Sequence, residues 1–403
     1  NMKETQKLIP KRRFREFMDD GAWEQRKLGT WADRYDNLRV PITASVRVSG
    51  STPYYGANGI LDYVEGHTHD GEFILVAEDG ANDLRNYPVQ YVNGKIWVNN
   101  HAHVLQAKKE IADNKFLKSA ISQTDIEPYL VGGGRAKLNA DIMMRIYIMA
   151  PGNLEEQEQL GTLFQRLDNL ITLQQRKLEK IKNLKSAYLS KMFPKEGEKY
   201  PELRFAGFTD AWEQRELGEI MNVTSVKRIH QSDWTEKGVR FLRARDIVSA
   251  AKNEKPNEQL YISKEKYDEY SVLSGKVSIG DLLVTGVGTI GIPLLIRNSE
   301  PVYFKDGNIL WFQNDGKIDG EFFFHSFRTR RIQDFINESA GIGTVGTYTI
   351  ETGKKTPISI PKTAEQTQIA GFFKYLGNLI TLHQRKLEKL NGIKQAYLNE
   401  MFV

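Results

Sequence analysis

Followed through its apolar positions, the chain carries one stripe twice. Leu160, Phe164, Leu167, Ile171, Leu178, Ile181, Tyr188 and Met192 recur as Ile369, Phe373, Leu376, Ile380, Leu387, Leu390, Tyr397 and Met401. Steps of four and three keep these residues on one helix face, as in a coiled-coil seam. Two seam positions are polar in both copies, Gln174 with His383 and Lys185 with Lys394. Polar seam residues cost stability but fix register and partner. The surrounding residues are rich in Leu, Lys, Glu, Gln and Arg without an internal proline, which predicts two long helices. From Leu160 to Met192 such a helix runs roughly 50 Å at about 1.5 Å per residue. The shared heptad phase suits two helices paired as a spacer; packing of each helix on its neighbouring domain is the alternative.

The repeat is close to literal. Asn169–Phe193, NLITLQQRKLEKIKNLKSAYLSKMF, matches Asn378–Phe402, NLITLHQRKLEKLNGIKQAYLNEMF, at 17 of 25 positions, 209 residues later. It extends upstream: Arg13-Phe14, Phe17 and AWEQRKLG (Ala22–Gly29) return as Arg204-Phe205, Phe208 and AWEQRELG (Ala211–Gly218). Between entry and helix lie two variable regions, about Thr30–Ala150 and Glu219–Ile360. Identity there is low, but Thr52–Ile60 aligns with Val239–Ile247, Gly71–Ala77 with Gly280–Gly286, and Val98–Leu105 with Phe304–Phe312.

These runs of β-branched and aromatic residues, punctuated by Gly, Asn and Asp, predict strands and loops. Lys108–Ala120 and Gly320–Glu338 predict helices. The expected fold class is α+β, with two tandem small α+β domains separated by two long helices that form an antiparallel coiled coil. The whole would be a pseudo-twofold internal repeat. The expected divisions are residues 2–150 and 219–361 for the domains, 151–194 and 362–403 for the long helices, and 195–218 for a linker and repeat entry. The second variable region is longer by about 20 residues, placed before Gly280. A fixed frame around two different inserts fits a protein that reads two different things.

A length of 403 residues allows two or three domains with proper cores. With no cysteine, disulfides and thiolate metal sites are excluded. No apolar run reaches membrane-spanning length and the first segment lacks a signal-peptide pattern, so the expected location is cytoplasmic. The net charge of +5 favours nucleic acid weakly. Its placement says more. Arg176, Lys177, Lys180, Lys182, Lys185, Lys191 and Lys195 face the single acid Glu179 between Leu170 and Lys195. That run is a solvated helix face or a phosphate-tracking one.

Enzyme motifs are scarce. Gly286–Gly291 and Gly341–Gly346 both spell G-x-G-x-x-G, but strand-like sequence follows each, and the dinucleotide fingerprint needs a helix there. Both are expected to be glycine-rich turns. His67, His69, His101 and His103 do not make a metal site without further ligands, and none is expected. There is no nucleophile elbow, no Walker loop and no Asn/Asp-Pro-Pro-Tyr/Phe run of an amino-methyltransferase; Asn86-Tyr87-Pro88-Val89 lacks the second proline.

Residues suited to bases and phosphates are denser. In the first domain the candidates for DNA contact are Tyr54, Tyr55, Asn58, Asn100, His101, Arg135 and Lys137. In the second they are Arg243, Arg245, Thr285, Thr289, Lys305, Asn308, Tyr348 and Lys355. Arg matches guanine edges, Asn adenine, and Lys or Arg phosphates. Each alone reads as a solvated surface residue; their recurrence at matched positions gives the group its weight.

The paired NLITL-QRKLEK helices, the RF and AWEQR-LG entries and the two divergent inserts resemble a type I restriction–modification specificity subunit over essentially the whole chain. Tyr55–Ile60 and Asp70–Gly80 resemble one kind of target-recognition domain, and Gly280–Gly291 another. The resemblance implies that each domain reads one half of a split, asymmetric DNA site and that the helices set the gap. It implies two methylation subunits carrying S-adenosylmethionine and a motor–nuclease subunit as partners. It also implies that this chain binds no cofactor and catalyses nothing itself.

Overall fold

The computed structural model describes residues 8–403 except 134–135, 253, 255, 257 and 341–345. It divides into two compact units, Asn1–Arg176 with Gln384–Val403, and Lys177–His383. The division cuts both long helices in mid-length. Sequence places it at the helix ends instead.

In the first unit the strands are β1 (Glu24–Lys27), β2 (Ala32–Arg34), β3 (Ser49–Gly56), β4 (Gly59–Val64), β5 (His69–Ala77), β6 (Val89–Val98), β7 (Ala102–Ala107) and β8 (Tyr147–Ala150). Six of them form one sheet in the order β2-β7-β5-β6-β3-β4, and β1 pairs with β8. Helix α1 (Asn114–Gln123) follows β7, capped by the Asp113 side chain, which accepts from the Phe116 amide. The expected start at Lys108 is corrected to Asn114. Lys108–Asp113 is a turn in which Glu110 takes φ 63°, outside the helical range. Phe116, Leu117, Ala120 and Ile121 are buried, at the i, i+1, i+4, i+5 spacing of one helix face.

The long helix α2 (Leu154–Lys191) gives its first part to this unit. Leu160, Phe164 and Leu167 pack in one core with Leu398 and Met401 from the end of the other long helix. The centre is an aromatic quartet: Phe402 stacks on Phe116 at 5.6 Å and meets Trp23 at 5.7 Å and Phe164 at 5.3 Å edge-on.

The second unit repeats this plan with different strands. They are β9 (Glu213–Glu216), β10 (Asn222–Thr224), β11 (Trp234–Thr235), β12 (Val239–Leu242), β13 (Leu260–Ile262), β14 (Leu282–Thr285), β15 (Pro293–Leu295), β16 (Val302–Phe304), β17 (Ile309–Gln313) and β18 (Pro357–Ile360). Helices α3 (Ala244–Ala251) and α4 (Lys264–Ser274) fill the extra length before Gly280. One sheet runs β10-β17-β14-β15, another β11-β13-β12-β16, and β9 pairs with β18.

The expected helix Gly320–Glu338 is two: α5 (Gly320–Phe327) and α6 (Arg330–Ser339), parted where Thr329 turns extended. The long helix α7 is Thr363–Met401. Phe193 stacks on Phe322 at 5.5 Å and lies 5.9 Å from Trp212 and 6.1 Å from Phe373, a second quartet of the same make-up. Trp212 is buried and β9 is paired, so the repeat entry, residues 204–218, is part of this unit's frame.

Within each unit the stripe residues of the long helices lie inward. Ile171, Leu178, Ile369, Phe373 and Leu376 are buried; Gln174, Ile181, Ile380, His383, Leu387 and Leu390 are half-buried. The two helix segments run antiparallel in each unit. Phe164 and Asp168 meet Phe402 and Lys394 in the first, while Tyr188 meets Phe372 in the second. Among the described residues no helix is long and apolar enough to cross a membrane.

Candidate nucleic-acid interface

In the first unit four segments converge where β5 ends. The Glu78 amide donates to the His101 carbonyl, and the Leu138 amide to the Glu78 carbonyl. The Asn99 amide donates to Tyr55 O, tying the β6–β7 turn to β3. At the β3–β4 tip Asn58 Nδ2 donates to Gly80 O, and its Oδ1 accepts from the Asn82 amide. Tyr55, Asn58, Asn100, His101 and Lys137 therefore share one rim.

The second unit builds the same rim from other residues. The Gly286 amide donates to Asn308 O, the Tyr348 amide to Gly286 O, and the Lys305 amide to Leu242 O. By these bonds Glu78 stands where Gly286 does, His101 where Asn308 does, and Leu138 where Tyr348 does. Sequence pairs Ala77 with Gly286, one residue off. Both strands are buried on both faces there, so no alternation of polar and apolar residues fixes their register.

Several expected contacts are corrected by burial. Tyr54 is 1% exposed, and its hydroxyl bonds to the Ile42 backbone; it is a core ring, as Phe241 is at the matching place. Thr285 is fully buried; its Oγ1 donates to Thr289 O and accepts from the Ile292 amide, closing the Gly286–Gly291 turn. Tyr348 is 2% exposed and bonded to Thr356 Oγ1 at 2.5 Å. All three hold the rim from beneath. The Gly286–Gly291 turn joins two antiparallel strands, with positive φ at Gly288 and Gly291, so its glycines serve a turn.

Arg243 is corrected in part. It caps α3, held by Asp246 and by Glu258 at 3.0 Å, and its side chain is 15% exposed. Arg245, in the first turn of α3, shares Glu258 at 2.8 Å but is 64% exposed. Arg245, Thr289, Lys305 and Asn308 reach solvent at this rim. Lys355 is exposed but stands on another segment, after the turn Ile350–Lys354. Arg135 lies outside the described residues.

The electrostatics of the two rims differ. Around Glu78 gather Lys137 at 2.8 Å, Arg39 at 2.6 Å and His103 at 3.6 Å. Burial would raise the Glu78 carboxyl, but the Lys137 and Arg39 hydrogen bonds hold it below its ordinary value. Asp36 is held low in the same way, its burial outweighed by His103, the Val104 amide and Arg39. Asp36, Glu78 and His103 bring three ligand atoms close enough for a metal ion. Arg39, Lys137, His103 and the Val104 amide also bind these two carboxylates, an ion-pair network that ties the rim together. Composition gave no sign of it; the acids Asp36 and Glu78 were not among the candidates, although Glu78 lies in the Asp70–Gly80 stretch. At the place of Glu78 the second unit has Gly286. A Cβ there would meet Tyr348 O at 2.7 Å.

A family model described as the type I restriction modification DNA specificity domain matches residues 21–183 and 209–392, one copy over each unit of the repeat. The chain belongs to the type I restriction–modification specificity family. A relative from Haemophilus influenzae, described as a putative type I restriction enzyme specificity subunit, is 34% identical over 363 residues, 89% of each chain. The MjaVIII specificity subunit of Methanocaldococcus jannaschii is 24% identical over 94% of this chain and 91% of its own. Among solved structures, the type I restriction–modification S subunit from M. genitalium superposes with TM-score 0.70 over 98% of this chain and 99% of its own. At 14% identity that likeness speaks for the fold. As a specificity subunit the chain carries two tandem target-recognition domains, and the two rims are their equivalent loop sets.

Proposed function

We propose that each domain reads one half of a split, asymmetric DNA sequence through its rim, and that the paired long helices set the distance between the halves. The observation that carries this reading is the rim itself: one backbone scaffold at one strand end, built twice, with different side chains on it. A scaffold that fixes position while side chains vary is what base readout needs, because phosphate contacts place a protein and edge contacts specify the sequence. In the first domain Tyr55, Asn58, Asn100, His101 and Lys137 face the DNA; in the second, Arg245, Thr289, Lys305 and Asn308.

The chain works without chemistry of its own. Two methylation subunits supply S-adenosylmethionine and the methyl-transfer site, and a motor–nuclease subunit joins them. The test is a methylation map of host DNA after co-expression with a cognate methylation subunit. One split motif is expected, and exchanging residues 30–150 for those of another member should change one half of it only. An intact complex that leaves no motif, or an exchange that alters both halves, would refute the reading.

A further inference from the structure

The two units treat one cationic corner differently. In the first, Lys394 on α7 and Lys118 on α1 both hold Asp168 of α2, at 2.6 and 2.7 Å. In the second, Lys185 is the repeat-mate of Lys394, and Gly377, 209 positions after Asp168, takes the carboxylate's place. A Cβ on Gly377 would lie 3.7 Å from Lys185 Nζ, so this is the same corner with its counterion removed. Phe116 and Phe322 are quartet-mates, which puts Phe324 where Lys118 stands. Arg297 and Arg328 both lie over the Phe324 ring, at 5.0 and 5.4 Å.

The acid facing this corner is Glu321, and Arg297 already holds it through two bonds of 2.7 and 3.0 Å. Among the described residues Lys185 and Arg328 have no carboxylate within ion-pair distance. Burial, then Arg328, press Lys185 toward its neutral form, and beneath them His325 Nδ1 is buried without a hydrogen-bond partner among the described residues. Three cations that share one acid are stabilised by an external anion. The same stretch of α2 carries Lys177, Lys180 and Lys182 exposed, against the single acid Glu179. Such a run suits a repeating phosphate backbone better than one carboxylate side chain.

We propose that Lys185 and Arg328, flanked by Arg297, form a phosphate-holding site for the DNA backbone that the second unit has and the first has neutralised with Asp168. It positions the duplex and reads no base. The proposal rests on the DNA-reading function above.

The test uses the full chain in complex with its methylation subunits and two duplexes, one with the methylated motif and one scrambled. Gly377→Asp returns the internal carboxylate, and Lys185→Ala with Arg328→Ala removes the cations. Both should weaken binding to both duplexes by the same factor, about 3- to 10-fold, and lower the slope of log affinity against log salt by about 1. The motif should not change. Gly377→Asp should fold at least as stably as the parent, which keeps the test open if the double variant fails to fold. Unchanged affinity and slope in Gly377→Asp would overturn the site. So would loss of methylation-subunit assembly with DNA binding intact, which would mean an acidic protein surface sits there. A parent complex that does not prefer the motif duplex would instead sink the DNA-reading function itself.

Discussion

In the first domain β6 runs unbroken for 10 residues and carries β3 and β4 into one six-stranded sheet. In the second, the equivalent path stops at Leu295 and resumes at Val302, so β15 and β16 go to two separate four-stranded sheets. Yet the frames around these sheets repeat the same side-chain bonds. Arg13 grips Glu156 with two bonds of 2.7 and 2.6 Å, and Arg204 grips Glu365 with two of 2.7 Å. Gln157 donates to Pro151 O and accepts from the Asp113 amide; Gln366 does the same with Pro361 and Asp319. Parts that must pack or pair have one solution, kept twice. The sheet edge and the rim, free of that demand, have two.

The largest effects should come from the quartets, because each is closed by a ring from the opposite repeat: Phe402 in the first unit and Phe193 in the second. Phe193→Ala should cost about 3–5 kcal/mol, seen as faster amide exchange in the second unit alone. Phe402, less deeply buried, should cost less, and in the first unit alone. Loosening of both units by either substitution would break the idea that each quartet is a local closure. Next come the ion pairs. Glu365→Ala leaves the Arg204 guanidinium without its carboxylate in a mostly buried place, about 3 kcal/mol. Glu156→Ala should cost less, about 2 kcal/mol, because Arg13 keeps its bonds to Asp20 O and Gly21 O. Equal losses in chemical denaturation would show that those backbone bonds contribute nothing.

Much of this frame was legible in the sequence, since it is made of what repeats: the seam, the Trp and Phe of the entries, the MF endings. Repetition did not show that Phe193 and Phe402 serve the unit that does not encode their repeat, because only three-dimensional packing assigns a ring to a core. The rim was half legible. Type and position put Asn58, His101 and Lys137 at the rim, while the polar groups of Tyr54, Thr285 and Tyr348 bond inward. A hydroxyl on a β-branched or aromatic residue carries no mark of which way it points. Glu78 and Asp36 carry no sequence signal of their role, because only the fold brings Arg39 and Lys137 to them.

Acid should separate the units. Burial, with Lys185, Arg328 and Arg297, lowers His325 to about 2. A histidine lowered in the folded state binds fewer protons than in the unfolded chain, so stability falls as pH drops below about 6.5. The second unit should lose about 1 kcal/mol per pH unit from there, and His325→Phe should flatten the slope. In the first unit His69 is lowered by burial too, but both ring nitrogens keep bonds, to Thr68 and Tyr35 O, so its slope should be shallower. Asp36 and Glu78, held low, contribute stability that is lost only as pH falls below about 4. Unit-resolved hydrogen exchange from pH 7 to 4 checks the order; an earlier loss in the first unit would contradict it.

The smallest effects on folding should fall on the rims, where the comparison matters most for function. Asn100 and Thr289 are exposed, and their side chains make no hydrogen bond among the described residues. Asn100→Ala and Thr289→Ala should therefore change stability by no more than about 0.5 kcal/mol. If the rims read bases, each should still relax preference at one position of the split motif by about 1 kcal/mol, in opposite halves. Methylation mapping of the two variants decides it. Relaxation in separate halves ties each rim to its own half-site. Relaxation in the same half would mean that one rim reads and the other only holds the duplex. That outcome would turn the difference between the rims, Glu78 with its bound cations in one and Gly286 at the matching place in the other, into a division of labour.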